Sequence, residues 1–290
     1  MQDPINASES QTASNVTFRV AGSYHLTRDI MGYASMATGF KSGDFNGSFL
    51  SNDLEQALLQ LTPVKPEHVT SYEVGAKTSW FEHRVVLNAA LFYNNYTNEQ
   101  IFATVPQVLQ TLAGPIESTT QILTNAAKAH TQGVELEFTA TPIRGLTINL
   151  DPAFLEAKID HAGLPTFGGS LDLDGKQLAN APHFSFSGDI DYKFQVFADD
   201  TIDVRWNSNY RSHEFFDSTN DPYIQQDAYW LHNLNISYQM HQGYELGVYM
   251  RNLTGTHYNI TSTDLSSPFG FIEPVRGAPR TYGVELTAHF

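Results

Sequence analysis

The sequence predicts an all-β chain, an antiparallel transmembrane β-barrel meander of about eleven strands. Three observations predict it. Apolar and polar residues alternate with period two in segment after segment, the connections alternate between short and long, and the chain is poor in charge. Charged residues are 16% of 290, against about 25% in soluble domains, while aromatics reach 12%. No run approaches the roughly 18 apolar residues of a membrane helix, and no basic-then-apolar start suggests a signal peptide.

The first strand is expected over Val16 to Leu26, with Met1 to Asn15 as the remnant of an outer loop and residues 16–290 as the barrel part. A short turn at Leu26 to Asp29 leads to a second strand around Tyr33. The long connection from Ser42 to Lys65 holds the one stretch with helical spacing, where Leu54, Leu58 and Leu61 fall at i, i+4 and i+7. A hairpin follows, turning at Phe81 to Arg84 and returning through Leu87 to Tyr93. After a second long connection, Thr104 to Thr120, Val134, Leu136, Phe138 and Ala140 alternate with Gly133, Glu135, Glu137 and Thr139. Beyond the turn at Thr141 to Gly145 and the long connection Asp160 to Gln177, Phe184, Phe186, Ile190, Tyr192 and Phe194 alternate with serines, aspartates and Lys193. The pattern repeats past Phe197 to Thr201, His213 to Gln225 and His241 to Gly243. It shows again in Tyr244, Leu246, Val248 and Met250, and after Asn259 to Gly277 in Tyr282, Val284, Leu286, Ala288 and Phe290.

Ten connections, alternately short and long, place all short turns at one end and all long loops at the other. An outer-membrane barrel sorts its loops this way and a sandwich has no reason to. If the short turns are periplasmic, the first and last of eleven strands both run inward. An odd sheet closed on itself would join parallel edges, so the sequence reads as part of a barrel cut in a long outer loop.

The charge balance narrows function. With 16 Lys+Arg against 31 Asp+Glu the net charge is −15, which excludes the clustered basic surface of a nucleic-acid partner. There is no cysteine, so disulfides, thiolate metal sites and thiol nucleophiles are absent. The 11 His show no His-Glu-x-x-His. Asp172-Leu173-Asp174-Gly175 has the start of a calcium loop without its remaining ligands and reads as a turn. No catalytic residue, metal site or cofactor is expected.

Several strings resemble those of the TonB-dependent outer-membrane receptor family. They are Tyr33-Ala34-Ser35 with Gly39-Phe40-Lys41-Ser42-Gly43-Asp44-Phe45-Asn46, Pro66-Glu67 with Ser71-Tyr72-Glu73-Val74-Gly75-Ala76-Lys77, and Asn125-Ala126-Ala127 with Gly133-Val134-Glu135-Leu136-Glu137. Asn180-Ala181-Pro182, Arg251-Asn252-Leu253-Thr254 and Gly277-Ala278-Pro279-Arg280-Thr281-Tyr282-Gly283 follow in the family's order. The resemblance implies the C-terminal half of a 22-stranded barrel, with the plug and the N-terminal strands outside this chain. It implies energy-coupled uptake of a ferric siderophore or another scarce, large solute in the bacterial outer membrane, with TonB engaged only through the plug.

On that basis the apolar parity faces outer-membrane lipid and the polar parity the lumen. Tyr33, Trp80, Tyr96, Trp206, Tyr238 and Tyr258 are expected at the interfacial girdles. Phe290, with Tyr282, Val284 and Leu286 on its face, looks like the signal read by the barrel-assembly machinery. Ligand contacts are expected in two outer loops, from His213, Phe215, Phe216 and Tyr223 and from Phe269, Phe271 and Arg276. The competing readings are a structural or degenerate half-barrel without transport, and a soluble β-sandwich binding module or glycosidase.

Overall fold

The computed structural model describes residues 10–46, 63–111, 113–166, 169–197, 199–241 and 243–288. Phe290 lies outside the described residues, as do Leu54, Leu58 and Leu61. In chain order the strands are β1 Arg19–His25, β2 Ile30–Lys41, β3 Glu67–Trp80, β4 Val85–Thr111, β5 Gly114–Ala140 and β6 Leu146–His161. Then come β7 Gly163–Thr166, β8 Gly169–Asp172, β9 Phe184–Gln195, β10 Thr201–Arg211, β11 Glu214–Phe215 and β12 Gln225–Gln226. The last are β13 Tyr229–Gln239, β14 Tyr244–Arg251, β15 Asn259–Leu265, β16 Phe271–Arg276 and β17 Thr281–Ala288, with one helical turn, Ser266–Phe269, between β15 and β16.

Eleven of these strands form one sheet in the order β1-β2-β3-β4-β5-β6-β9-β10-β13-β14-β17, every neighbour antiparallel. The sheet is not closed: β1 and β17 are its two edges. The other six strands pair locally, β7 with β8, β11 with β12 and β15 with β16. Each pair stiffens one long connection, so the expected loops carry their own hairpins. The connection expected from Thr104 to Thr120 is not a loop at all. β4 and β5 stay paired as far as Thr111 opposite Gly114, where a stretch with four Thr and two Val keeps its backbone groups in a ladder.

Register carries the alternation from edge to edge. Val20 lies opposite Met36, Ala34 opposite Val74, and Val74 opposite Leu91, which in turn faces Val134. At the far side Val204 meets Ile236, Ile236 meets Val248, and Val248 meets Val284. The other parity is polar. Asn88 donates to Glu137 Oε2 at 3.0 Å, Thr139 to Asn149 Oδ1 at 2.8 Å, and Arg205 Nε to Asp191 Oδ2 at 2.8 Å. Tyr33 and Tyr96 belong to this polar parity, Tyr33 opposite Gly75 and Tyr96 opposite Val69 and Ala129, so neither joins a girdle on the apolar face. Trp80, Trp206 and Tyr238 keep the apolar parity.

The apolar face has no protein cover: Val284 and Leu286 are 71% and 72% exposed. The buried core lies instead at the long-loop end, where Ile101, Ala126, Ile159, Ala162 and Leu173 pack together. Among the described residues the apolar side of the wall is bare and the packed core sits beneath its loops, an arrangement that suits a nonaqueous solvent on one face.

Candidate functional site at the long-loop end

Scaffold contacts set the geometry of this end. Asn125 Oδ1 accepts the Lys65 amide at 2.7 Å, and Asn125 Nδ2 donates to the carbonyls of Lys65 and Asn98 at 3.0 and 2.8 Å. Buried Gln100 donates to the Ser42 and Lys65 carbonyls. These bonds seat the long β4–β5 hairpin against the preceding connection. At the base of the last loop Asn252, with φ 50°, accepts the Thr256 amide at 2.8 Å and donates to the Thr256 and Ala278 carbonyls. The short Asn strings of the sequence are therefore turn clamps, satisfying backbone groups that the ladder abandons.

Asp174 is likewise a turn former. It accepts the Ala162 amide at 2.8 Å while its own amide donates to Asp172 at 2.9 Å. The Ala162 amide, with His161 beside it, holds the Asp174 carboxyl below its usual range. Leu173 between them is fully buried, so the segment is a packed turn. Among the described residues no group of His, Asp or Glu has metal-holding geometry.

The two loops expected to bind ligand differ. In the first, His213 Nε2 lies 2.7 Å from Gln225 Oε1, and its ring meets Phe215 edge-on at 4.7 Å. Phe216 is buried and donates its amide to the Ile224 carbonyl; Asp217, Ser218 and Ile224 are buried beside it. Asn220 exchanges hydrogen bonds with the Gln177 backbone at 2.8 Å each way, and Asn180 donates to the Phe215 carbonyl. Burial pushes the Glu214 carboxyl up, opposed by the Arg211 guanidinium 2.7 Å away. His213 and Phe216 thus bond within this loop, Phe215 and Asn220 link it to its neighbour, and of the expected set Tyr223, 76% exposed, is the one left open to solvent.

In the last loop Phe269 and Phe271 are exposed, with ring centroids 6.2 Å apart, and Arg276 is exposed beside Asn259. The Asn259 amide donates to Gln226 Oε1 at 2.7 Å, joining the two loops at their bases. The helical turn Ser266–Phe269 lies against β5, so the β15–β16 hairpin reaches across the end of the sheet.

A recess on the polar side, missed in the sequence, lies just beneath. It encloses about 450 Å³ and is lined by Phe92, Glu135, Asp151, Leu155, Ser187, Asn209 and Arg211. Phe92 lies over Gly133, which makes the room for its ring. These residues come from five strands, β4, β5, β6, β9 and β10. Polar parity was the available signal, but it marks a whole face and cannot mark one recess on it.

The family model "TonB dependent receptor-like, beta-barrel" matches residues 2–253. Among solved structures, the ferric yersiniabactin uptake receptor FyuA of Yersinia pestis superposes with TM-score 0.71 at 21% identity, over 92% of this chain and 36% of its own. The siderophore receptor PiuA of Acinetobacter baumannii gives 0.66 at 16%, over 93% and 35%. The copper transporter OprC gives 0.64 at 15%, over 94% and 39%. This chain spans a little over a third of each. A two-faced antiparallel meander, its loops gathered at one end, and a family match over most of its length agree: the chain belongs to the TonB-dependent receptor β-barrel family.

Proposed function

We propose that residues 16–290 form part of the barrel wall of an outer-membrane receptor that takes up a ferric siderophore or another scarce, large solute by energy-coupled transport, with residues 1–15 as part of an outer loop. The observation that carries this reading is the register-locked wall, apolar on one face and polar on the other across all eleven strands, in a chain of this family. Energy would reach the solute through the plug and TonB. The chain's own residues supply the wall, the outer loops and, at β17, the strand offered to the barrel-assembly machinery through Tyr282, Val284, Leu286 and Phe290.

Solute contacts are assigned to the polar recess and the exposed loop rings. Phe92 and Leu155 offer apolar area; Glu135, Asp151, Asn209 and Arg211 offer hydrogen bonds that orient a chelate. Tyr223, Phe269, Phe271 and Arg276 form the outer contact set, while His213, Phe215 and Phe216 act by holding the first loop in place.

The test is uptake by cells carrying the complete receptor, with ferric siderophores and a copper complex as a panel, with and without a protonophore. At least one solute should enter in a protonophore-sensitive manner, and Asp151→Lys should weaken its binding about tenfold by reversing a charge in the recess. Solute flux indifferent to the protonophore would support a passive wall instead. Recovery of the protein in the aqueous fraction without detergent would favour the soluble β-sandwich alternative.

A further inference from the structure

The apolar face carries a trough. Leu150, Gly188, Ser208 and His232 are cross-strand neighbours on β6, β9, β10 and β13. On either side of this row stand larger groups, Phe186 and Trp230 toward the loops and Ile190 and Trp206 toward the short turns. The Phe186 ring lies down over Gly188 and forms part of the floor, and above this row a cavity of about 330 Å³ is lined by all of these. Four strands at about 4.8 Å spacing make it about 14 Å long.

One end of the trough is polar. His232 Nδ1 lies 2.7 Å from Ser208 Oγ. Its ring stacks on Trp230 at 5.5 Å and 8°, and lies 5.9 Å from Trp206. The other ring nitrogen, Nε2, has no hydrogen-bond partner among the described residues. A polar group facing hydrocarbon is costly unless something satisfies it. In the tautomer that leaves Nδ1 to accept from the Ser208 hydroxyl, the imidazole proton sits on Nε2 and can be given to an acceptor brought by the occupant.

We propose that this trough binds one acyl chain of a bilayer lipid, with His232 Nε2 donating to the ester carbonyl at the head of that chain. The assignment rests on the reading that the apolar face lies in the membrane. Width argues for a single chain: the flanking rows are four residues apart along each strand, about 13 Å, and their rings narrow the gap below the 10–12 Å of a helix with side chains. Height agrees, since Ser208 is three residues, about 10 Å, from the loop end of β10, where chains meet headgroups.

The full protein in detergent, carrying Trp80→Phe, confines tryptophan fluorescence to Trp206 and Trp230. Phosphatidylethanolamine brominated on one acyl chain should quench it saturably at one lipid per protein. His232→Leu should raise the half-saturation concentration about tenfold by deleting one hydrogen bond. Ser208→Leu should remove the saturable phase, and Leu150→Phe, filling the trough from its other end, should remove it too and covers any folding defect of the first variant. Quenching that rises linearly and equally in every variant overturns the site while leaving the membrane-facing wall intact. Quenching by aqueous iodide but not by brominated lipid overturns the wall reading itself, and the site with it.

Discussion

Phe92 on β4 faces Gly133 on β5, and a Cβ at Gly133 would overlap the Phe154 carbonyl oxygen and come within 2.8 Å of the Phe92 ring. The same arrangement recurs on the polar face at Tyr33 over Gly75 and Tyr249 over Gly283, each with a ring atom 2.6 Å from where the Cβ would be. Each ring lies down across the neighbouring strand because the glycine offers no side chain, which restores apolar contact that a bare glycine would lose. Gly→Ala in an ordinary strand site stabilises by about 0.4–1 kcal/mol through the unfolded chain. At Gly133 the overlap wins, and Gly133→Ala should destabilise by about 1–3 kcal/mol. Urea unfolding in detergent reads the sign, and an alanine variant as stable as the parent contradicts the close-contact account.

Between elements, one link at the short-turn end joins two neighbouring turns. Asp200, in the β9–β10 turn, accepts hydrogen bonds from the Tyr238 hydroxyl, the His241 amide at 2.9 Å and His241 Nδ1 at 2.8 Å, the last two from the β13–β14 turn. The Tyr238 bond, followed by those from His241, holds its carboxyl down from 3.8 to about 2. The folded value lies below the unfolded one, so the link stabilises fully above about pH 4 and is lost as pH falls toward about 2. Asp200→Asn should therefore be less stable than the parent near pH 5, and the difference should vanish by about pH 2. Thermal unfolding of both across that window checks it; a constant difference, or one growing in acid, would mean that the carboxylate is not the source.

For the whole molecule the decisive property is parity across the sheet. Leu91 and Asn88 lie on the same strand, but Leu91 sits on the bare apolar face between Val74 and Val134, whereas Asn88 bonds to Glu137 on the polar face. Leu91→Arg should cost about 2–4 kcal/mol in a bilayer, and Asn88→Arg about 1 kcal/mol or less, since its guanidinium meets a carboxylate and water. Folding equilibria of both variants in lipid vesicles compare them directly. Equal costs would remove the bilayer as the solvent of the apolar face. The free ladders of β1 and β17 are a matter for the whole molecule too. Backbone groups at a sheet edge within lipid must be paired.

Alternation and connection spacing were enough to read eleven wall strands, five short turns and the two faces, because period-two patterning and turn chemistry are local properties of the chain. The resemblance strings also pointed to the right family, and within them Asn125 and Asn252 clamp backbone groups with their side chains. Local pattern did not reveal that the β4–β5 connection continues as paired strands, although its partners are close in sequence, Thr111 opposite Gly114 and Val108 opposite Glu117, because this Thr-, Gln- and Pro-containing stretch lacks a strict apolar–polar alternation. Nor could it separate Phe215, bonded to the neighbouring loop, and Phe216, buried within its own, from Tyr223, Phe269 and Phe271, which remain exposed. The polar recess and the trough on the apolar face each draw residues from at least four strands. The sequence by itself determined which side of the wall each residue occupies, a matter of parity; only the tertiary structure decided which residues on a side become neighbours, because register across strands is set by the pairing of the whole sheet.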